Sequence, residues 1–293
     1  MKDVMEVTWL EGLQKALDYI EDHLDEKLEI AEIAMQASLS SFHFQRTFSV
    51  LTDTSIGEYI RRRRLSAAGQ ELMNQNLKVI DAAIKYGYES PEAFTKAFRK
   101  QHGTTPSNIR NGKGKLTIYN PFAIQIVLKG AEPMNVKIVE MDKFQAIGKK
   151  KSYSYKQGEN LREIPLFWEE ANRDSTTASL VEWNDGLIKG LLGICAEITS
   201  TTKDMDYWIA AASTKENADG YETITIPQSK WAVFEVHGPM PDSMQNTWKQ
   251  IYAEWFPKSG YVQTSSPQLE VYGEGSPDNA DYYSEIWIPV DRP

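Results

Sequence analysis

The side chains whose types and spacing could do chemistry fall in two places. Near the N-terminus, Phe42, Gln45, Arg46 and Ser49 share one face of a helical pattern, with Ser41 at its start. Phe44, Phe48 and Leu51 recur at i, i+4 and i+7 on the opposite face. Fifty residues further on, Glu92, Thr95, Lys96 and Arg99 look outward while Phe94 and Phe98 look inward. Guanidinium, carboxamide and ammonium groups on one side of an anchored helix can hydrogen-bond base edges and phosphates. Arg46 has the fork for a bidentate guanine contact, and Lys96 can serve a base or a phosphate. Glu92 can accept from cytosine N4 or cap its own helix, and Phe42 offers only apolar contact, for instance to a thymine methyl.

The second place is the last apolar run. Two-residue alternation sets Tyr283, Glu285 and Trp287 on one face and Tyr282, Ser284, Ile286 and Ile288 on the other. A carboxylate between two aromatics suits a cationic or aromatic ligand through charge pairing and cation–π contact. Such a half-buried Glu285 should titrate above the ordinary value unless a cation neutralises it. Tyr207, Trp208, Trp168, Trp183 and Phe234 are further wall candidates, each equally at home in a core.

Other chemistries lack their residues. One cysteine, Cys195, excludes an internal disulfide, and its apolar flanks suit a buried thiol rather than a nucleophilic or zinc-bound one. Histidines 23, 43, 102 and 237 have no metal-ligand spacing, so neither metal nor cofactor is expected. The first residues lack the basic and apolar runs of a signal peptide, and no run reaches the ~18 apolar residues of a membrane span. A cytoplasmic protein with no membrane partner is expected.

The elements that must position these groups separate into two halves. From Trp9 to Asn111 the spacing is helical throughout, and two copies of a helix-turn-helix pattern align at an offset of 50 residues. Ile30 matches Ile80, Ser40 matches Ser90, Phe44 matches Phe94, Phe48 matches Phe98 and Thr54 matches Thr104, with Ser40 and Ser90 placed to cap. Arg61-Arg62-Arg63-Arg64 belongs to the helix joining the copies, where some arginines would touch phosphates and some would support packing. Beyond the Asn111–Lys115 break come strand-like runs at Thr117–Tyr119, Gln125–Leu128, Lys137–Val139, Trp231–Val236 and Glu285–Ile288. Helical patterns at about 160–172 and 242–255 interrupt them. A weaker repeat relates Lys143–Gly148 to Lys230–Glu235, and Asp206-Tyr207-Trp208 to Asp281-Tyr282-Tyr283. The expected fold is multidomain. An all-α double helix-turn-helix domain (7–111) and connecting strands (112–133) precede an α+β domain (134–293) with antiparallel sheets and a pseudo-twofold repeat.

The net charge of −9 argues against nucleic acid until its distribution is read. Residues 1–39 hold 3 Lys/Arg against 10 Asp/Glu, residues 40–112 hold 11 against 6, and residues 113–293 hold 18 against 25. The candidate helices therefore lie in the basic segment. A screening length of about 8 Å lets that local patch govern close contact.

Ser40–Phe48, Gly87–Lys100 and the closing Gly103-Thr104-Thr105-Pro106 resemble the two recognition helices and signature of AraC-type regulators, most closely the MarA/Rob group. That resemblance covers about residues 10–110. It implies that Phe42, Gln45, Arg46, Glu92 and Lys96 face the bases of double-stranded DNA. Two departures stand out: Phe42 replaces a common tryptophan or polar residue, and Ser38 stands where the first turn often has glycine. Residues 134–293 resemble the GyrI-like effector-binding domain, strongly through Ser229–Met240, Trp248–Trp255, Leu269–Gly273 and Tyr283–Val290. This second resemblance implies a small-molecule effector, lipophilic or cationic, with Glu285 in the pocket floor. Together they imply a one-component transcription regulator, with RNA polymerase as a partner if it activates. An enzymatic alternative, hydrolysis of reactive small molecules with Glu285 and Tyr283 as base and acid, rests on two side chains of one strand face.

Overall fold

The computed structural model describes residues 9–74, 77–124, 134–155, 158–198, 204–215 and 218–292. They form two compact units, one helical and one α+β. Among them no helix is long and apolar enough to cross a membrane.

Seven helices build the first unit: α1 (Trp9–Asp22), α2 (Ile30–Gln36), α3 (Ser41–Thr52), α4 (Ile56–Met73), α5 (Val79–Lys85), α6 (Pro91–His102) and α7 (Pro106–Arg110). The stripe Leu13, Ala16, Leu17 and Ile20 turns α1 inward. Hydroxyl caps set the helix starts: Ser55 accepts from the Glu58 amide, Ser90 from Ala93 and Thr105 from Asn108. Gly103, at φ 70°, ends α6 in the left-handed region, where the Cβ of other residues is penalised.

The internal repeat is real, but its offset is not uniform. The second helices, α3 and α6, align at 50 residues, whereas the first helices, α2 and α5, align at 49. Leu39 N–H donates to the Ala34 carbonyl as Tyr88 N–H donates to Ala83, so Ile30 matches Val79 rather than Ile80. Ile80 is accordingly 52% exposed. The second turn carries one more residue between its left-handed position and its serine cap. That left-handed position is Gly87 in one copy and Ser38 in the other, at φ 56°, so serine holds the turn where glycine was expected.

Residues 117–119 form no strand. An extended segment runs back along α4: Thr117 N–H donates to His102 Nδ1, Tyr119 N–H to Ser66 Oγ and Phe122 N–H to Tyr59 Oη. Phe122 stacks on Tyr59 at 4.7 Å. Alternation alone cannot separate such a strap from a strand, because both are extended backbone. Gln125–Leu128 lies outside the described residues.

The second unit is a nine-stranded antiparallel sheet. Its strands are β1 (Val136–Met141), β2 (Phe144–Tyr153), β3 (Leu191–Glu197), β4 (Met205–Ala212), β5 (Glu222–Ile226), β6 (Ser229–His237), β7 (Val262–Gln263), β8 (Gln268–Tyr272) and β9 (Tyr283–Asp291). Helices α8 (Glu159–Arg173) and α9 (Thr176–Glu182) separate β2 from β3. Helix α10 (Asp242–Gln250), a π-turn (Ile251–Trp255) and α11 (Phe256–Ser259) follow β6. The order β1-β6-β9-β8-β3-β4-β2-β5 is palindromic about the β8–β3 pair, so β2-β3-β4 and β6-β8-β9 are two copies of one strand–helix–hairpin module. These are the modules the weak sequence repeat marked.

The two sheet faces have different fates. One carries an apolar cluster including Leu192, Ile194, Trp208, Trp231, Val233 and Trp287, all at most 6% exposed. The other carries Cys195, Tyr207, Phe234, Glu270 and Tyr272, and α8 and α10 reach it through Trp168 and Trp248.

Candidate functional site

On the helical unit, α6 presents its candidates as expected. Phe94 and Phe98 are fully buried, while Glu92, Lys96 and Arg99 are exposed and Thr95 is half-buried. On α3, Ser41 opens the helix, and Phe42, Gln45, Arg46 and Ser49 are set off the Phe44–Phe48 stripe by helical phase.

The arginine run is committed to internal partners. Arg61 forks onto Glu58 at 2.7 and 2.6 Å, and Arg62 Nε reaches the same carboxylate at 2.6 Å. Burial works to raise the Glu58 pKa, but the two guanidiniums outweigh it and hold the carboxyl below the usual range. Arg63 grips Glu21, and Arg64 donates to the Leu24 and Glu26 carbonyls at 2.8 and 2.5 Å. The run therefore acts as internal latches.

The seven ligand candidates of the α+β unit do not gather at one site. Tyr283, Glu285, Trp287 and Trp208 share the apolar-cluster face, whereas Tyr207, Trp168 and Phe234 belong to the helix-covered face. Phe234 packs edge-on against Trp255, and Trp183 against Tyr221. The flanking of Glu285 is as read: Tyr283 Oη donates at 2.6 Å and Trp287 Nε1 at 2.7 Å. Lys137 adds a bond of 3.1 Å. The Glu285 side chain is 12% exposed and burial pushes its pKa up, yet these three donors outweigh burial and leave it below the ordinary glutamate value. The cation that lowers it is the protein's own. A depressed folded-state pKa contributes stability that is present above the unfolded value and lost as pH falls through the folded one. NMR titration should therefore find the Glu285 carboxyl midpoint below the usual glutamate value, and Lys137→Met should move it upward; an unmoved midpoint would discount Lys137.

A second carboxylate escaped the sequence reading. Glu270 Oε1 accepts from Trp248 Nε1 at 2.8 Å, and Oε2 accepts from Tyr272 Oη at 3.0 Å and Tyr207 Oη at 3.2 Å. Trp168 Nε1 donates to Tyr207 Oη at 2.9 Å, and its ring meets Tyr272 edge-on at 5.0 Å. Burial first, and then the charge of Glu270, push both tyrosine hydroxyls well above their ordinary pKa, so they remain donors. Two helices and two strands thus converge on one carboxylate. The signal available in sequence was Gln268-Leu269-Glu270-Val271-Tyr272, whose polar alternate positions look like a solvent face.

Comparison with known proteins agrees with both units. The family model described as "Helix-turn-helix domain" matches residues 30–112, and "Integron-associated effector binding protein" matches residues 137–290. The transcriptional regulator Rob of Salmonella typhimurium is 27% identical over 294 residues, covering 96% of this chain and 93% of that protein. The regulatory protein SoxS of the same organism is 35% identical over 99 residues, covering 34% of this chain and 92% of SoxS. A solved chain from Staphylococcus aureus MU50 superposes with a TM-score of 0.48 at 27% identity, covering 54% of this chain and 99% of that one. A capped helix-turn-helix repeat joined to an effector-binding sheet domain, with relatives spanning the helical part and the whole, makes this chain a member of the AraC-type DNA-binding transcription regulators of the Rob and SoxS group.

Proposed function

We propose that this regulator binds a small lipophilic or cationic effector at Glu270 and reads specific DNA with α3 and α6. The observation that carries the effector reading is the carboxylate cage. Its hydrogen-bond donors, Trp248, Tyr207 and Tyr272, gather aromatic side chains from α10, β4 and β8 around one carboxylate, and the Trp168 ring meets Tyr272 edge-on beside it. Aromatic rings beside a carboxylate favour an organic cation over an anion or a neutral sugar. On the DNA side, Glu92, Thr95, Lys96 and Arg99 of α6, with Ser41, Phe42, Gln45, Arg46 and Ser49 of α3, form the base- and phosphate-contacting set in this reading. It places the protein in the cytoplasm, with RNA polymerase as its partner if it activates. We read the α+β unit as binding rather than hydrolysing: Glu285, held anionic by three donors, is a weak base, and the Tyr283 hydroxyl is held far above its usual pKa by burial and by Glu285.

Titration calorimetry with tetraphenylphosphonium on the full chain tests the site. Glu270→Gln should weaken binding about tenfold or more, with a thermal midpoint close to wild type. Glu285→Gln, on the other sheet face, should bind as wild type does. Loss confined to Glu285→Gln would move the site to that face and overturn this reading.

A further inference from the structure

Five residue pairs join the two modules across β3 and β8, and the middle pair sets Gly193 directly opposite Glu270. At the position facing the half-buried carboxylate, the first module has no side chain at all. Gly193 is not in the left-handed region, so its backbone would accept any residue. Space alone excludes one. A Cβ at this position would stand 2.4 Å from Tyr207 Oη, 3.2 Å from Tyr207 Cζ and 3.0 Å from Glu270 Oε2. The first separation is far inside any van der Waals contact, and the tyrosine it strikes is 2% exposed, with no room to recede.

We propose that Gly193 is a positioning and specificity-determining residue of the effector site, because the space left by its missing side chain is where the Tyr207 hydroxyl and the Glu270 carboxylate meet. It acts through a chain of two hydrogen bonds: Trp168 Nε1 donates to Tyr207 Oη at 2.9 Å, and Tyr207 Oη donates to Glu270 Oε2 at 3.2 Å. A methyl group at 193 displaces the middle member. It thereby removes a donor from Glu270 and the acceptor that ties Trp168, and with it α8, to the sheet. The carboxylate loses the position that Tyr207 gives it, and Trp168 loses its register with it. A glycine here therefore sets how deep an effector's charge can sit and how closely a ring can approach Trp168. This inference rests on the reading of Glu270 as the effector's charge partner.

The experiment is a double-mutant cycle on the full chain with Gly193→Ala, Tyr207→Phe and both together. Tetraphenylphosphonium titration gives the binding arm, and thermal unfolding without ligand gives the second. Tyr207→Phe removes the atom at 2.4 Å and leaves only contacts of 3.0 and 3.2 Å, which shifts of a few tenths of an ångström relieve. Gly193→Ala should weaken binding about tenfold or more in the wild-type background and should cost little further affinity in the Tyr207→Phe background, where the hydroxyl it displaces is already gone. In the ligand-free arm, Gly193→Ala should lower the midpoint and Tyr207→Phe should recover most of the loss. Wild-type affinity in Gly193→Ala overturns the proposal, as does a Gly193→Ala loss of the same size in the Tyr207→Phe background. If Glu270→Gln binds the probe as wild type does, the effector reading fails. The ligand-free arm then decides the Gly193 geometry separately, since additive midpoint losses would overturn it.

Discussion

Glu21→Ala is expected to destabilise the helical unit by roughly 3 kcal/mol, the cost of leaving a largely buried charge unpaired. Glu21 closes α1 and receives Arg63 from α4 through Nε at 2.9 and 3.0 Å and Nη2 at 2.6 Å. Tyr59 Oη adds a bond of 2.7 Å. The Arg63 side chain is only 11% exposed, so water cannot take over the lost partner. Arg63 Nη1 also donates to the Tyr119 carbonyl, and Tyr59 Oη accepts from Phe122 N–H, so both ends of the strap over α4 hang on this latch. Urea unfolding followed by helical circular dichroism measures the loss. Glu21→Ala with Arg63→Met should recover most of it, because an apolar replacement of both partners leaves no stranded charge. A loss under about 1 kcal/mol would reduce the latch to an ordinary surface pair.

Phe94→Ala should cost about 3 to 5 kcal/mol, in the range of large aromatic deletions from a core. Phe94 is fully buried, meets Tyr88 edge-on at 5.2 Å and lies 5.5 Å from Phe98. These three rings fill the junction between the turn and α6, so the cavity opens where the helix is anchored. Lys96→Ala, two residues away and exposed, should stay within about 0.5 kcal/mol of wild type. The pair separates folding from contact: denaturant unfolding should resolve Phe94→Ala strongly and Lys96→Ala hardly at all. Comparable small losses in both would mean that the aromatic stripe does not hold α6.

Legibility in the sequence followed the range of the interaction. Phe44, Phe48, Phe94 and Phe98 were readable as anchors because a helix repeats every 3.6 residues whatever surrounds it. Tyr283, Glu285 and Trp287 were readable as one face for the corresponding two-residue reason, and the module repeat was readable because each copy keeps its own pattern. The one-residue slip between α2 and α5 was not, since Ile30 and Ile80 are both apolar and only the Ala34 and Ala83 carbonyl bonds reveal the true match. Which arginines of the run support packing was not readable for Arg63 and Arg64, because their partners, Glu21, Leu24 and Glu26, lie some 40 positions earlier in the chain.

By itself, the sequence determined two helix-turn-helix copies in a basic segment, an α+β partner of two related modules, and the side-chain chemistry each could offer. Only the tertiary structure decided which of that chemistry converges. Glu270 reads as a solvent-side residue of its strand until strand order places β8 beside β3 and helices α8 and α10 bring Trp168 and Trp248 over it. Glu285 reads as the free carboxylate until β1 brings Lys137 to it. Periodicity is a property of a segment and survives in one dimension. Apposition belongs to segments up to 148 positions apart, as in Lys137 and Glu285, and exists only once the sheet has closed.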